Sequence, residues 1–171
     1  MNPDAVIRPW LLGCGAPFGA RHAHPYRWPD VSTRPETPYF TYRPVSASPD
    51  FANGFDQIHE IKNTYDAIST YQQHWTLQIQ VDLFNSASGM SDLAGCAIAA
   101  KVEQSFLNLF VANNAAFSKV VSISDMTEED AERIYYHQRM VCEWYTYMVY
   151  RHENINHVVT SVVLDDPFGV D

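Results

Sequence analysis

A chain of 171 residues and 19.5 kDa is expected to fold as one domain around one core. Hydrophobic residues make up 46% of it, with no apolar run near the ~20 residues of a membrane-spanning helix, so a membrane-embedded chain is not expected. Acidic residues outnumber basic ones by 20 to 11, a formal charge of −9, which leaves general electrostatic attachment to nucleic acid without support. The amino terminus lacks a basic segment followed by a long apolar one, so no secretory signal is expected. Cys14, Cys96 and Cys142 are odd in number and far apart, and read as reduced thiols, the last two as small core residues.

From Asn2 to about Leu12 the residues predict a short helix: Asn2 can cap, Pro3 suits the first helical position, and Val6 and Trp10, with Ile7, form an apolar side. Pro9 is expected to kink or shorten it. Gly13 to Thr37 contains Pro17, Pro25, Pro29 and Pro35, which should deny regular ladder bonding, and it reads as a long irregular surface arm. Pro38-Tyr-Phe-Thr-Tyr-Arg43 predicts a strand ended by Pro44 and a loop from Ser46 to Asp50, with a second, polar strand near Ile58 to Asn63. Next, Tyr71, Trp75, Leu77, Ile79, Val81 and Leu83 share one parity, while Thr76, Gln78, Gln80 and Asp82 share the other. That alternation predicts a strand with one buried face and one wet face.

Asn85 to Gly89 predicts a turn, and Ser91 a helix cap before Ala94, Ile98, Val102, Phe106 and Leu109 or Phe110, a stripe expected to pack on the sheet. Asn113-Asn114 should end the helix, and Phe117 to Ser124 predicts a connecting strand. Thr127-Glu-Glu-Asp130 has the form of a capping box and could open a helical turn. From Ile134 the period changes to two, with Ile134, Tyr136, Met140, Cys142, Trp144 and Met148 on one parity. A long strand is expected there, a helix over Glu128 to Glu143 being the other reading. Arg151 to Asn156 should turn, and His157 to Asp165 return as the final antiparallel strand. The succession predicts an α+β fold, an antiparallel β-sheet with helices packed on one face, in a single domain over residues 1–171 with the arm at about 13–37.

Seven histidines raise the question of a metal, above all His22-Ala-His24, but no carboxylate or Cys lies at a familiar ligand spacing, so surface or subunit-contact histidines are favoured. Gly13-Cys-Gly15 with Gly19 looks like a phosphate-cradling loop, yet it follows a helix and contains Pro17, so no nucleotide site is expected. Cys14 has no paired His with any specificity and reads as a bystander thiol. Glu128, Glu129 and Asp130 suit a solvated helix start, and Asp165-Asp166 a turn. No catalytic, metal or cofactor-binding residue is singled out, no cofactor is expected, and an enzyme is not expected.

The short amino-terminal helix, the Arg34-Pro35-Glu-Thr-Pro38-Tyr39-Phe-Thr41 entry into a strand and the alternating Trp75 to Leu83 strand resemble, in their succession, the phage neck terminator and tail terminator proteins. The Ser91 helix, the Val120-Val-Ser-Ile-Ser-Asp125 strand, the Glu132-Arg133 start of a long strand and the closing Val158 to Leu164 strand agree with that family's order. The resemblance implies a structural virion protein at the head-tail junction. Its copies would form a ring, commonly a homohexamer, that caps the tail tube protein and receives the head-completion or connector protein, with DNA only as passing cargo. A head-side completion or adaptor protein is the alternative, and a small metal-dependent enzyme a more distant one. The family supplies no catalytic residues. Tyr26, Trp28, Tyr39, Tyr42, Phe51 and Phe55, aromatics set in the arm and around the following strand and loop, are the candidate subunit or partner contacts.

Overall fold

The computed structural model describes residues 2–26, 30–49, 55–61, 66–130 and 133–155. Helix α1 (Pro3–Gly15) starts where extended Asn2 accepts a hydrogen bond from the Asp4 amide at 3.1 Å. Contrary to expectation, Pro9 does not shorten it. Pro9 lies on the exposed side, where water can take the carbonyl its missing N–H leaves, while fully buried Val6, Ile7, Trp10 and Leu11 hold the opposite side to the core.

The expected irregular arm is largely built into the fold. Gly13 to Gly15 complete α1, and Ala16–Phe18 form one 3-10 turn. β1 (His22–Pro25) then pairs in parallel with the start of β2 (Tyr39–Pro49) and buries Ala23, and a second 3-10 turn spans Val31–Thr33. The prolines do not prevent this, because Pro17 sits in the turn and Pro25 ends an edge strand that bonds on one side only. At Gly15 a Cβ would come within 2.8 Å of the Ala20 Cβ and 2.7 Å of the Phe40 ring, so this reversal of the chain depends on a missing side chain. β2 also continues through Pro44 to Pro49, replacing the expected loop. The register shifts between Pro44 and Ser46, so the absent donor is absorbed by an irregularity.

Beyond β2 come β3 (Phe55–Ile61), β4 (Asp66–Phe84), α2 (Gly89–Val102), α3 (Gln104–Ala112), β5 (Ala115–Asp125), β6 (Glu128–Asp130), β7 (Arg133–Tyr135) and β8 (His137–Ile155). β8 runs through the expected turn at Arg151, and the expected closing strand His157 to Asp165 lies outside the described residues. The six-stranded sheet has the order β1-β2-β4-β8-β5, with β3 beside β4 on the edge that β2 also uses. β1 is parallel to β2, which makes the sheet mixed rather than wholly antiparallel; its other pairings are antiparallel. β4 and β8, each 19 residues, pair from Asp66–Ile155 to Phe84–His137 without a register shift.

The helices cover one face, so the fold is α+β. The helix stripe is the expected one only in α3, where Phe110 is buried and Phe106 and Leu109 pack against the core; in α2 Ile98 and Val102 are 63% and 67% exposed, and Leu93, Cys96, Ala97 and Ala100 are buried instead. α2 is apolar on nearly every side, so periodicity alone does not choose its buried face. Close approach to the strands selects the side with the small residues Cys96, Ala97 and Ala100. Ser88, not Ser91, precedes the helix, and the chain breaks at extended Glu103 before α3. Trp144 on β8 centres the core, meeting Trp10, Phe110 and Phe117 edge-on at 5.3, 4.9 and 5.2 Å between centroids. The Trp10 indole donates to the Cys96 carbonyl at 3.1 Å, tying α1 to α2. Cys96 and Cys142 are buried, as expected.

Thr127 does not cap a helix. Its amide and hydroxyl both donate to Asp125 Oδ1, at 2.9 and 2.5 Å, and β6 and β7 follow as a small hairpin.

Candidate functional site

The face of the sheet away from the helices is built of rungs that cross β2, β4 and β8. Tyr39, Phe84 and His137 occupy one rung, and their rings stack: Tyr39 on Phe84 at 5.0 Å and Phe84 on His137 at 4.4 Å, both nearly parallel. Two residues along lie Thr41, Asp82 and Arg139, and two further Arg43, Gln80 and Val141. The parity expected to be wet is therefore covered in part by its own neighbours: Gln80 and Asp82 are each 6% exposed.

Asp82 is the hub. Its Oδ1 accepts from His137 Nε2 at 2.9 Å and Arg139 Nε at 2.8 Å, and its Oδ2 from Gln80 Nε2 at 2.6 Å. An ionised carboxylate only accepts, so Nε2 is the protonated imidazole nitrogen in this contact. Burial pushes the Asp82 carboxyl up, but the hydrogen bonds from His137, Gln80 and Arg139 and the Arg139 charge outweigh it and hold the group below the ordinary carboxylate range. Gln80 relays the network outward, its Oε1 accepting from Arg43 Nη2 at 3.0 Å and Nε at 3.3 Å.

Over these rungs opens a cavity of about 240 Å³, with Tyr26 and Arg34 at its rim. Among the described residues, three guanidinium groups, from Arg34, Arg43 and Arg139, line it against the single carboxylate of Asp82. Among the described residues no ion pair is made by Arg34 or Arg43. A second cavity, about 790 Å³, continues past Arg34, Tyr39, Phe84 and His137 to the β6–β7 hairpin. There Met126, Ile134 and Tyr135 are 41%, 50% and 52% exposed. The arrangement suits contact with another macromolecule: an aromatic floor, a cationic rim and an exposed apolar margin.

The expected contact residues do not gather there as a set. Tyr26 is exposed, at φ 66°, anchored by its amide to the Tyr42 carbonyl. Tyr39 and Tyr42 are 4% and 1% exposed within the single chain: Tyr39 belongs to the ring stack, and Tyr42 packs in the core. The Tyr42 hydroxyl donates to Asp4 Oδ1 at 2.7 Å, and burial together with that bond pushes it well above the usual phenol range. Phe55 begins β3 opposite Gln73, and Trp28 and Phe51 lie outside the described residues. Sequence reasoning passed over Asp82, His137, Arg139, Arg43 and Arg34. The available signal was the polar parity of β4, whose Gln80 and Asp82 needed cross-strand partners.

His22 and His24 share a parity on β1, where His24 Nδ1 donates to the Pro25 carbonyl at 2.8 Å, and among the described residues no group of three potential ligands could hold a metal. Gly13 and Gly15 lie within α1 rather than in a phosphate-binding loop. Cys14 is half-buried, with its thiol 4.0 Å from the Cys96 carbonyl. Among the described residues no helix is long and apolar enough to cross a membrane.

Comparison with protein families gives a match to the phage neck terminator protein over residues 4–166. The chain belongs to that family. It is accordingly a structural protein of the phage neck, located in the virion. The match spans nearly the whole chain and includes the strands and helices described above, apart from Pro3 at the start of α1. No curated protein matches.

Proposed function

We propose that copies of this neck terminator family member close into a ring, a homohexamer, that caps the tail tube and joins it to the head-completion or connector protein, with DNA passing through as cargo. Each copy acts as one domain. The observation that carries this reading is a pair of dissimilar adhesive surfaces on opposite sides of one sheet. On the open face, Tyr26, Met126, Ile134 and Tyr135 surround the arginine-rimmed aromatic floor. On the helical side, Ile98, Val102 and Val111 are 63%, 67% and 75% exposed. Head-to-tail association about a closed rotation needs two different complementary patches, whereas a two-fold dimer needs only one. Tyr26, with Trp28, Phe51 and Phe55, is retained as a proposed contact position.

Sedimentation velocity with projection images of the purified chain tests the ring: a several-fold mass with a central hole is expected, alone or after mixing with tail tubes. Binding to purified tail tubes is expected in preference to purified connectors; binding only to connectors would place the chain on the head side and overturn the capping role.

A further inference from the structure

We propose that the arginine-rimmed cavity receives the acidic pair Asp165-Asp166 of a neighbouring copy; this rests on the self-association described under the proposed function. The cavity asks for an anion. Asp82 is already engaged by three side chains, whereas exposed Arg34 and Arg43 have no ion pair among the described residues. In a chain of net charge −9 this is a local cationic excess, and the family's own polypeptide is a ready source of carboxylates. Asp165-Asp166 brings two adjacent carboxylates with no base beside them, a charge that matches the guanidinium groups lining the cavity.

Chain length decides between the chain's own cavity and a neighbour's. β8 carries Arg139 and leaves the described structure at Ile155, sixteen residues and about 50 Å farther along the strand. The ten residues from Ile155 to Asp165 span at most about 36 Å. Asp165 and Asp166 therefore fall short of the cavity in their own copy and can reach one only in an adjacent copy.

The test uses two full-length charge-reversed proteins, Arg34→Glu/Arg43→Glu and Asp165→Lys/Asp166→Lys, with circular dichroism and urea titration to check folding, because Arg43 also donates to Gln80; Arg34→Glu alone, which leaves that bond in place, is the second cavity variant and is expected to weaken association in the same direction. Each variant alone is expected to self-associate roughly tenfold or more weakly than wild type at low salt by sedimentation equilibrium, and an equimolar mixture to regain association, because each supplies the acidic pair or the cavity the other needs. Unaltered association of either variant, or a mixture no better than its components, overturns the proposal. So does a wild-type chain that stays monomeric at every concentration yet binds tail tubes, an outcome that leaves the neck role standing. Conversely, intact variant behaviour of the expected kind with no binding to tail tubes or connectors sinks the neck role and not this contact. If Arg34→Glu/Arg43→Glu associates normally but loses binding to a short DNA duplex, the cavity takes phosphate and the proposal is wrong.

Discussion

Asp82 holds a full negative charge under a side-chain exposure of 9% because three donors replace the water it lost. Its folded carboxyl lies below the unfolded value of 3.8, so it binds a proton less readily when folded. The network therefore stabilises fully above that value, and its contribution fades as pH falls through the lower, folded one. Asp82→Asn is expected to lose roughly 1–3 kcal/mol at pH 7 in urea titrations, and less as the wild type is itself acidified. A pH-independent difference would show that the carboxylate charge is not what matters. At Gly15 the argument is steric: Gly15→Ala drives a methyl group into Ala20 and Phe40 and is expected to lower stability by about 1–3 kcal/mol, read as a fall in the urea midpoint without a change in slope. Neither effect was legible in the sequence. Asp82 reads there as one more solvated strand position, and Gly15 as part of a flexible stretch; the first meaning needs His137 and Arg139, 55 and 57 positions away, and the second arises across a reversal of chain direction.

The elements were legible to different depths, for physical reasons. β4 announces itself because alternation with period two leaves no competing assignment, and the buried Leu77, Ile79, Val81 and Leu83 are the residues the pattern names, whereas the start of β8 also admitted a helix over Glu128 to Glu143. α2 is recognisable as a helix but not in its rotation. A helix made of Leu, Ala, Cys, Ile and Val offers several apolar stripes, and only the sheet selects one. Ile98→Ser and Val102→Ser are therefore expected to change monomer stability by less than about 0.5 kcal/mol. Leu93→Ala should lose about 2–5 kcal/mol by the same denaturation measurement. The reverse order would mean that the helix is turned to the expected face. The length of β2 was hidden by Pro44, which looks like a stop and is accommodated at a register shift. The stacked rung Tyr39–Phe84–His137 joins three strands that are up to 98 positions apart, a juxtaposition that local pattern does not reveal.

For the molecule as a whole, the helical layer, the sheet and the polar face form one cross-section only where β2, β4, β8 and β5 run side by side. Hydrogen exchange followed by mass spectrometry is expected to be slowest for Leu77 to Leu83 and Met140 to Thr146, which are flanked by strands and covered by helices, and faster along β5, an edge with two register shifts. The pairing of β4 with β8 continues beyond that section, in step, over the full 19 residues of each strand. Its inter-strand bonds lie across the strand direction, so a pull along the strands loads every rung together in shear, whereas a pull across one end would peel them singly. The neck protein thus has a stiff axis built into its backbone, and traction along that axis will be resisted by the whole ladder before any one bond yields.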